Sequence, residues 1–215
     1  MFLLSSCALL DDEDENILPG KRESVYESEE KVILKANKRI KLEKPKIISN
    51  WSQQHQNLKN HLFHFKSKPT LKLKKRIRLG DINLDKIQYI TPPIISNNII
   101  FYSDNDYNII SKNINTGKLN WSIKLEFEKE ENFSLVSGFF LDEKILFFST
   151  GLGNVYAVDA IEGKIKWYKK FGIQFSRPPV ISKNKIFLVS DDNQLYAINK
   201  IDGEVEWSHL GNIEE

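Results

Sequence analysis

Short runs of apolar residues, separated by polar turns, repeat three times between residues 91 and 210. The runs are too short for helices and match the usual length of β-strands. Each copy ends in a glycine that is followed four residues later by a tryptophan. The motif pairs are Gly117 with Trp121, Gly163 with Trp167, and Gly203 with Trp207.

The three copies align without a gap across their first two predicted strands. Residues 94–101 fall on residues 140–147 and on residues 180–187. A turn, a third strand, the glycine turn and a fourth strand through the tryptophan follow in each copy. Four strands per repeat, with 46 and 40 residues between successive tryptophans, are typical of β-propeller blades. We therefore predict an all-β fold, a partial β-propeller of four-stranded antiparallel blades with repeats at about residues 91–125, 137–171 and 176–210.

The two residues of each motif have distinct structural roles. A glycine adopts positive φ without steric cost, which suits the turn before the fourth strand. A tryptophan offers a large flat surface, and we expect Trp121, Trp167 and Trp207 to pack between neighbouring blades. The longer first interval predicts a charged insertion between blades at residues 126–132.

The chain before the repeats has a different organisation. We predict a lipoprotein signal remnant at residues 1–7, a flexible tether with an irregular segment at residues 8–70, and the partial propeller at residues 71–215. From Leu71 to Leu79 apolar residues alternate with lysine and arginine. This alternation predicts a strand with one buried face at the start of the propeller.

The net charge of +2 is the sum of three unlike segments. Residues 1–30 carry nine acids and two bases, residues 31–80 carry fifteen bases and one acid, and residues 81–215 carry nineteen acids and fourteen bases. A basic segment can contact nucleic acid or anionic lipid, or it can be a solvated arm. Because the alternation at residues 71–79 explains part of the positive charge as a solvent-facing side, we predict no nucleic-acid partner.

The single cysteine, Cys7, excludes an internal disulfide, and the residues around it suggest a lipid anchor. The sequence Leu4-Ser5-Ser6-Cys7 has the form of a bacterial lipobox, in which the cysteine thiol receives a diacylglyceryl group. A secretion signal also has a basic region and a longer apolar stretch, so either the true start lies upstream or the match is accidental. The acidic residues 11–15 suit a solvated tether, and we expect Cys7 to be the lipid attachment site.

Two groups of polar residues could carry chemistry. Three histidines lie within residues 55–64, but their spacing matches no metal-ligand pattern. Four acidic residues fall at turns between predicted strands, where hydrogen bonding within the turn is a sufficient role. These residues are Asp104, Asp106, Asp191 and Asp192. We therefore assign no catalytic, cofactor-binding or metal-binding residue and expect no cofactor.

The segment from Val155 to Trp167 closely resembles the blade motif of the quinoprotein (PQQ-like) family, Y-A-x-D-x-x-x-G-x-x-x-W. The third copy has Asn199 in place of the aspartate, and the first copy departs further, with Asn113 at this position. Other features resemble the outer-membrane assembly lipoproteins of the BamB family. These features are the lipobox, the acidic tether, and residues 18–22, 50–54 and 90–93.

This resemblance implies an eight-bladed, non-catalytic scaffold held by its lipid anchor at the periplasmic face of the outer membrane. It implies a BamA-type insertase and unfolded outer-membrane proteins as partners, although no contact residue can be carried over. Since the chain supplies three to four of eight blades, we expect an N-terminal fragment of a longer protein. The alternatives are a fragment of a PQQ-dependent dehydrogenase, which needs acids converging on Ca²⁺ and the cofactor, and a generic propeller scaffold such as a kinase sensor domain.

Overall fold

The computed structural model describes residues 41–59, 61–67, 70, 72–73, 75–77, 79, 91–104, 106–125 and 136–211. The chain divides into two compact units, Met1–Lys41 and Leu42–Glu215, and almost all of the described residues belong to the second. Cys7, the acidic tether and the predicted insertion at residues 126–132 lie outside the described residues. Within the described ranges, no helix is long and apolar enough to cross a membrane.

The described residues form three four-stranded antiparallel sheets, in each of which the strands pair in sequence order. Blade 1 comprises β1 (Ile94–Ser96), β2 (Ile99–Ser103), β3 (Asn108–Asn113) and β4 (Leu119–Lys124). Blade 2 comprises β5 (Gly138–Asp142), β6 (Ile145–Ser149), β7 (Asn154–Asp159) and β8 (Ile165–Lys170). Blade 3 comprises β9 (Val180–Ser182), β10 (Lys185–Val189), β11 (Gln194–Asn199) and β12 (Val205–Leu210). The predicted all-β partial propeller is confirmed.

The three blades share their local irregularities as well as their strands. The first hairpin of each blade turns through a left-handed residue, with φ of 48° at Asn97, 52° at Glu143 and 56° at Lys183. The pairing of the third and fourth strands shifts register at the same point in every blade. The shifts lie at Ser111/Lys112, Ala157/Val158 and Ala197/Ile198. A bulge of this kind increases strand twist, so the repeat is one of backbone shape and not only of sequence.

The hydrophobic core lies between the sheets. We call the side of a blade that meets the following blade its forward face, and the side that meets the preceding blade its rear face. The forward face of blade 1 packs on the rear face of blade 2 through residues such as Phe101 and Phe148. Phe147 and Leu188 occupy corresponding positions between blades 2 and 3. All four side chains are fully buried, and each such burial contributes about 1.5–3 kcal/mol.

An extended segment, Asn50–Gln53, binds the first strands of two blades, and we call it the strap. The N–H of Trp51 donates to the carbonyl oxygen of Ile95 (2.6 Å), and the N–H of Ile95 donates back to Trp51 (2.9 Å). The N–H of Leu141 in β5 donates to the carbonyl oxygen of Ser52 (2.8 Å). Because β1 approaches β5 and β5 approaches β9, the first strands form the inner side of the stack. The strap therefore joins blades 1 and 2 at their inner edges, a pairing that the sequence pattern did not predict.

The strand predicted from Leu71 to Leu79 is wrong for the residues described in that range, none of which lies in a strand. The prediction placed Leu73 on the buried face of the strand, but its side chain is 77% exposed. The ammonium group of Lys75 donates to the carbonyl oxygens of Ile114 (2.7 Å) and Asn115 (2.6 Å). Alternation alone misled the prediction because a strand also needs a neighbouring strand for its backbone hydrogen bonds.

Candidate interaction site at the blade contacts

A polar side chain closes the motif turn in every blade. In blade 2, Oδ1 of Asp159 accepts hydrogen bonds from the N–H groups two and three residues later, at 2.9 and 3.0 Å. Asn113 accepts the same two bonds in blade 1, and Asn199 accepts the first of them in blade 3. The two asparagines that depart from the family motif keep its function, because an amide oxygen accepts as a carboxylate oxygen does.

The turn also changes the acidity of Asp159. The main-chain N–H groups of Glu162 and Ile161 stabilise its carboxylate and lower its pKa below the ordinary aspartate value. Lys166 adds to the effect, with its Nζ 3.4 Å from Oδ2 of Asp159. Asp159 is therefore ionised in the folded protein at any pH near neutrality, and its charge serves the turn.

The motif glycine of one blade lies directly beneath the tryptophan of the preceding blade. Gly163 and Gly203 have φ of 74° and 75°, as expected for the turn. A Cβ atom at Gly163 would lie 2.7 Å from Cγ of Trp121, and one at Gly203 would lie 2.8 Å from Cε3 of Trp167. Only a hydrogen atom fits at these positions, so the glycine serves both the turn and the contact between blades.

The indole N–H group of the same tryptophan crosses to the next blade. Nε1 of Trp121 donates to the carbonyl oxygen of Ala160 (3.0 Å), and Nε1 of Trp167 donates to that of Lys200 (3.2 Å). In both contacts the acceptor lies three residues before the motif glycine. A buried Trp N–H needs such an acceptor, so each contact specifies a particular backbone position on the neighbouring blade.

Polar side chains add contacts that differ between the two interfaces. Two ion pairs join blades 2 and 3, from Lys200 to Asp142 and from Lys169 to Glu204, each at 2.8 Å. Partly exposed pairs of this kind contribute no more than about 1 kcal/mol each. The described residues place no ion pair between blades 1 and 2. The tryptophan and glycine therefore form the contact that both interfaces share, and the two ion pairs add to it between blades 2 and 3.

In the described part of the chain, no blade covers the forward face of blade 3, which carries apolar side chains at the corresponding positions. Trp207 is 42% exposed, whereas Trp121 is 8% exposed. Val180 and Val189 are each 45% exposed, and Phe187 is half-buried although its counterparts in the other two blades are fully buried. Within the described residues, no acceptor is hydrogen-bonded to the indole N–H of Trp207. Every strand residue of β12 is exposed.

The rear side of blade 1 is closed in a different way. Gly117 has φ of 76°, and a Cβ atom there would have no neighbour within 4 Å, because no tryptophan lies on it. The carbonyl oxygen of Ile114, three residues earlier, accepts from the Lys75 ammonium group instead of an indole. Leu79 packs against the apolar rear face nearby. Among the described residues, Leu79 and Lys75 thus cover part of the rear side of blade 1, and none covers the forward face of blade 3.

The acidic and histidine residues singled out in the sequence do not converge. Oδ1 of Asp104 accepts from the N–H groups of Asp106 (3.0 Å) and Asn108 (2.9 Å) within one turn. Asp191 lies in blade 3, between β10 and β11, and accepts a hydrogen bond from the hydroxyl group of Ser176 (2.7 Å). Asp192 accepts from Ser190 two residues away, His61 packs edge-on to Phe63, and His64 lies 3.0 Å from the carbonyl oxygen of Glu43. Among the described residues, no three His, Cys, Asp or Glu side chains come together in a way that could hold a metal ion.

The repeats match a known family model. Residues 113–215 match a PQQ-type repeat model described as "Outer membrane protein assembly factor BamB". The matched range contains all three motif pairs and the whole of blades 2 and 3. No curated protein matches the chain. The quinoprotein-like repeats inferred from the sequence are confirmed.

Solved structures share the fold at low sequence identity. BamB from Moraxella catarrhalis aligns with a TM-score of 0.49 and 16% identity, over 61% of this chain and 37% of that chain. A europium-containing methanol dehydrogenase aligns with a TM-score of 0.58 and 14% identity, over 74% of this chain and 31% of that chain. The quinohemoprotein alcohol dehydrogenase ADHIIG from Pseudomonas putida HK5 aligns with a TM-score of 0.57 and 11% identity, over 74% of this chain and 26% of that chain. The chain therefore spans well under half the length of these similar proteins, and the dehydrogenases show a common fold alone.

Proposed function

We propose that this chain, whose residues 113–215 match the assembly-factor model, acts as a non-catalytic scaffold in the assembly of outer-membrane β-barrel proteins. The family match is the observation that carries the proposal. The structure supports it because stacked rigid sheets hold their loops in fixed positions, which suits binding. The strap is also hydrogen-bonded to backbone groups at the inner edges of blades 1 and 2. A ligand on the propeller axis would approach these same groups.

The proposed partners are a BamA-type outer-membrane insertase and unfolded outer-membrane proteins. An unfolded barrel protein offers extended strands, which a sheet edge can bind by β-augmentation. The fourth strand of each blade has one edge that pairs with no other strand in the described part of the chain. Lysines on β8, such as Lys166 and Lys169, discourage unspecific pairing there, whereas β12 has none. We therefore expect a client strand to use the edge of β12.

A photocrosslinking experiment in whole cells tests the scaffold role. A photoreactive amino acid is placed at Leu210 in β12, which is 60% exposed, and at Ile201, which is 71% exposed at the tip of the motif turn. Ile161, 61% exposed at the same turn of blade 2, is the matched control for position along the stack. We expect covalent products with the insertase or with precursors of outer-membrane proteins. Recovery of neither from any of these positions would count against the scaffold role.

The membrane anchor is a separate proposal that rests on Cys7. Acyl chains on this thiol, at about 0.8 kcal/mol per buried CH₂, would hold the scaffold at the periplasmic face of the outer membrane. Radiolabelled palmitate should label the wild-type protein, and Cys7→Ser should abolish both the label and its recovery with outer membranes. Equal labelling of the two proteins would contradict the anchor and leave the crosslinking test unaffected.

A PQQ-dependent dehydrogenase remains the alternative function. Such an enzyme requires carboxylates that converge on Ca²⁺ and the cofactor. The described residues do not fit this requirement, because Asp104 accepts hydrogen bonds within its own turn, whereas Asp191 lies in another blade and accepts from Ser176. Dye reduction by the purified chain after addition of PQQ and Ca²⁺ would overturn the non-catalytic proposal, whereas we expect none.

A further inference from the structure

The segments on either side of the strap expose apolar side chains. We call residues 42–47 and 54–66 together the arm. Six of its large apolar side chains are exposed, and they are Leu42, Ile47, Leu58, Leu62, Phe63 and Phe65. A concentration of exposed apolar residues in one segment marks a contact with a protein partner or with a membrane.

Backbone hydrogen bonds hold the two parts of the arm side by side. The N–H of Lys46 donates to the carbonyl oxygen of His64, and the N–H of Lys66 donates to that of Lys46, each at 2.8 Å. Lys46 pairs with Phe65 in this parallel bridge, and its Nζ lies 4.7 Å from the centre of the Phe63 ring. An ammonium group therefore lies among exposed aromatic rings, at a position that main-chain hydrogen bonds define.

The arm is also basic. It carries four lysines and one glutamate. Glu43, the glutamate, accepts a hydrogen bond from Lys46 at 2.9 Å, which lowers the pKa of its carboxyl group. In the described part of the chain, no acid pairs with the other three lysines, which are Lys44, Lys59 and Lys66. The positive charge of the arm is thus available to an external anion.

This combination of side chains favours an anionic lipid surface as the partner. Phenylalanine and leucine among lysines are typical of segments that bind at the boundary between lipid headgroups and acyl chains. The rings enter the boundary while the ammonium groups stay at the phosphates. Residues 81–215 carry nineteen acids and fourteen bases, so an anionic surface would attract the arm and repel the blades.

We propose that the arm is a docking surface for anionic phospholipid, with the rings of Phe63 and Phe65 in the headgroup boundary. The contact is reversible, because a small apolar area and a few lysines bind a membrane only marginally, and washing of membranes removes it. It therefore orients a chain that the Cys7 anchor would hold. It can be measured without the anchor and does not depend on the assembly role.

The test uses the full chain with Cys7→Ser, so that no acyl chain contributes. Its partition is measured by sedimentation at increasing concentrations of vesicles. One set of vesicles contains phosphatidylcholine alone, and the other contains phosphatidylcholine with phosphatidylglycerol. We expect binding to the anionic vesicles only, and we expect high salt to abolish it because salt screens exposed charges.

Aromatic variants test the apolar part of the contact. Phe63→Ser with Phe65→Ser should weaken the partition about tenfold or more, since two rings no longer leave water. Phe63→Leu with Phe65→Leu should keep most of the binding, because leucine is still apolar. The matched control is Ile161→Ser with Ile201→Ser, at blade positions that are 61% and 71% exposed. This control should bind as the parent chain does.

Lysine variants test the electrostatic part. Lys44→Gln with Lys66→Gln should weaken binding to the anionic vesicles about fivefold for each lysine, the factor that corresponds to about 1 kcal/mol. Lys144→Gln with Lys183→Gln removes the same charge from exposed positions on the blades. These two changes should leave the partition nearly unchanged, since the blades face away from the lipid.

Two results would overturn the proposal. One is a lack of binding to the anionic vesicles, which would leave a protein as the partner of the arm. The other is an equal effect of the arm variants and the blade variants, which would place the lipid contact elsewhere on the chain.

Discussion

At the residue scale, one side-chain oxygen organises each motif turn. Asp159, Asn113 and Asn199 are different residues in aligned positions, yet each accepts backbone N–H bonds from the residues that lead to the motif glycine. The shared property is an oxygen acceptor on a short side chain. The negative charge of Asp159 strengthens its bonds to the N–H groups of Glu162 and Ile161 and adds an interaction with Lys166.

Substitutions at Asp159 separate these two contributions. Asp159→Asn should lower the free energy of unfolding at neutral pH by less than Asp159→Ala does, because the amide keeps the acceptor and loses only the charge. Asp159→Ala removes the acceptor and should cost about 1 kcal/mol. Chemical denaturation of the three proteins measures both effects. A loss for the asparagine variant as large as that for alanine would show that charge, and not the acceptor, holds the turn.

The lowered pKa of Asp159 predicts that the free energy of unfolding depends on pH. The pKa of Asp159 is lower in the folded protein than in the unfolded chain, so its ionisation stabilises the fold above the unfolded value of about 3.9. This contribution disappears as the pH falls through the folded pKa. The stability difference between the wild type and Asp159→Asn should therefore shrink in acid.

At the element scale, the contact between blades depends on the motif glycine, which has no side chain beneath the tryptophan ring. Gly117 and Gly163 have the same motif position and nearly the same φ, 76° and 74°. They differ in what a Cβ atom would meet, which is empty space at Gly117 and the Trp121 ring at Gly163. The pair therefore separates backbone strain from packing between blades.

Alanine at both positions should destabilise, but not equally. Each substitution places a side chain at positive φ, which costs about 1–2 kcal/mol. Gly163→Ala should cost about 1–3 kcal/mol more, since the new methyl group forces Trp121 away. Thermal unfolding of the two variants gives the difference directly. Equal losses would mean that the indole does not hold the blades together.

The sequence predicted the repeated elements well because strand period, turn residues and the Gly-x-x-x-Trp motif are local signals. It predicted no strand pairing for Trp51 and Gln53, because two isolated bridges to distant strands leave no periodic pattern. It also misread residues 71–79, where alternation exists but Lys75 reaches across to Ile114. The uneven exposure of the three tryptophans depends on which blade has a neighbour, so identical motifs could not reveal it.

At the scale of the whole molecule, the described chain is a directional stack. The strap joins the inner edges of blades 1 and 2, Leu79 packs against the rear face of blade 1, and Trp207 is exposed on the forward face of blade 3. The repeated tryptophan contact is the feature that joins each described blade to the next.

Hydrogen exchange of the tryptophan indole N–H groups, observed by NMR and assigned with single Trp→Phe variants, tests this account most directly. The account predicts slow exchange for Trp121 and Trp167, whose indoles donate across blade contacts, and fast exchange for Trp207. Fast exchange at all three positions would contradict the stacked blades. Equally slow exchange at Trp207 in the isolated chain would contradict the uncovered forward face.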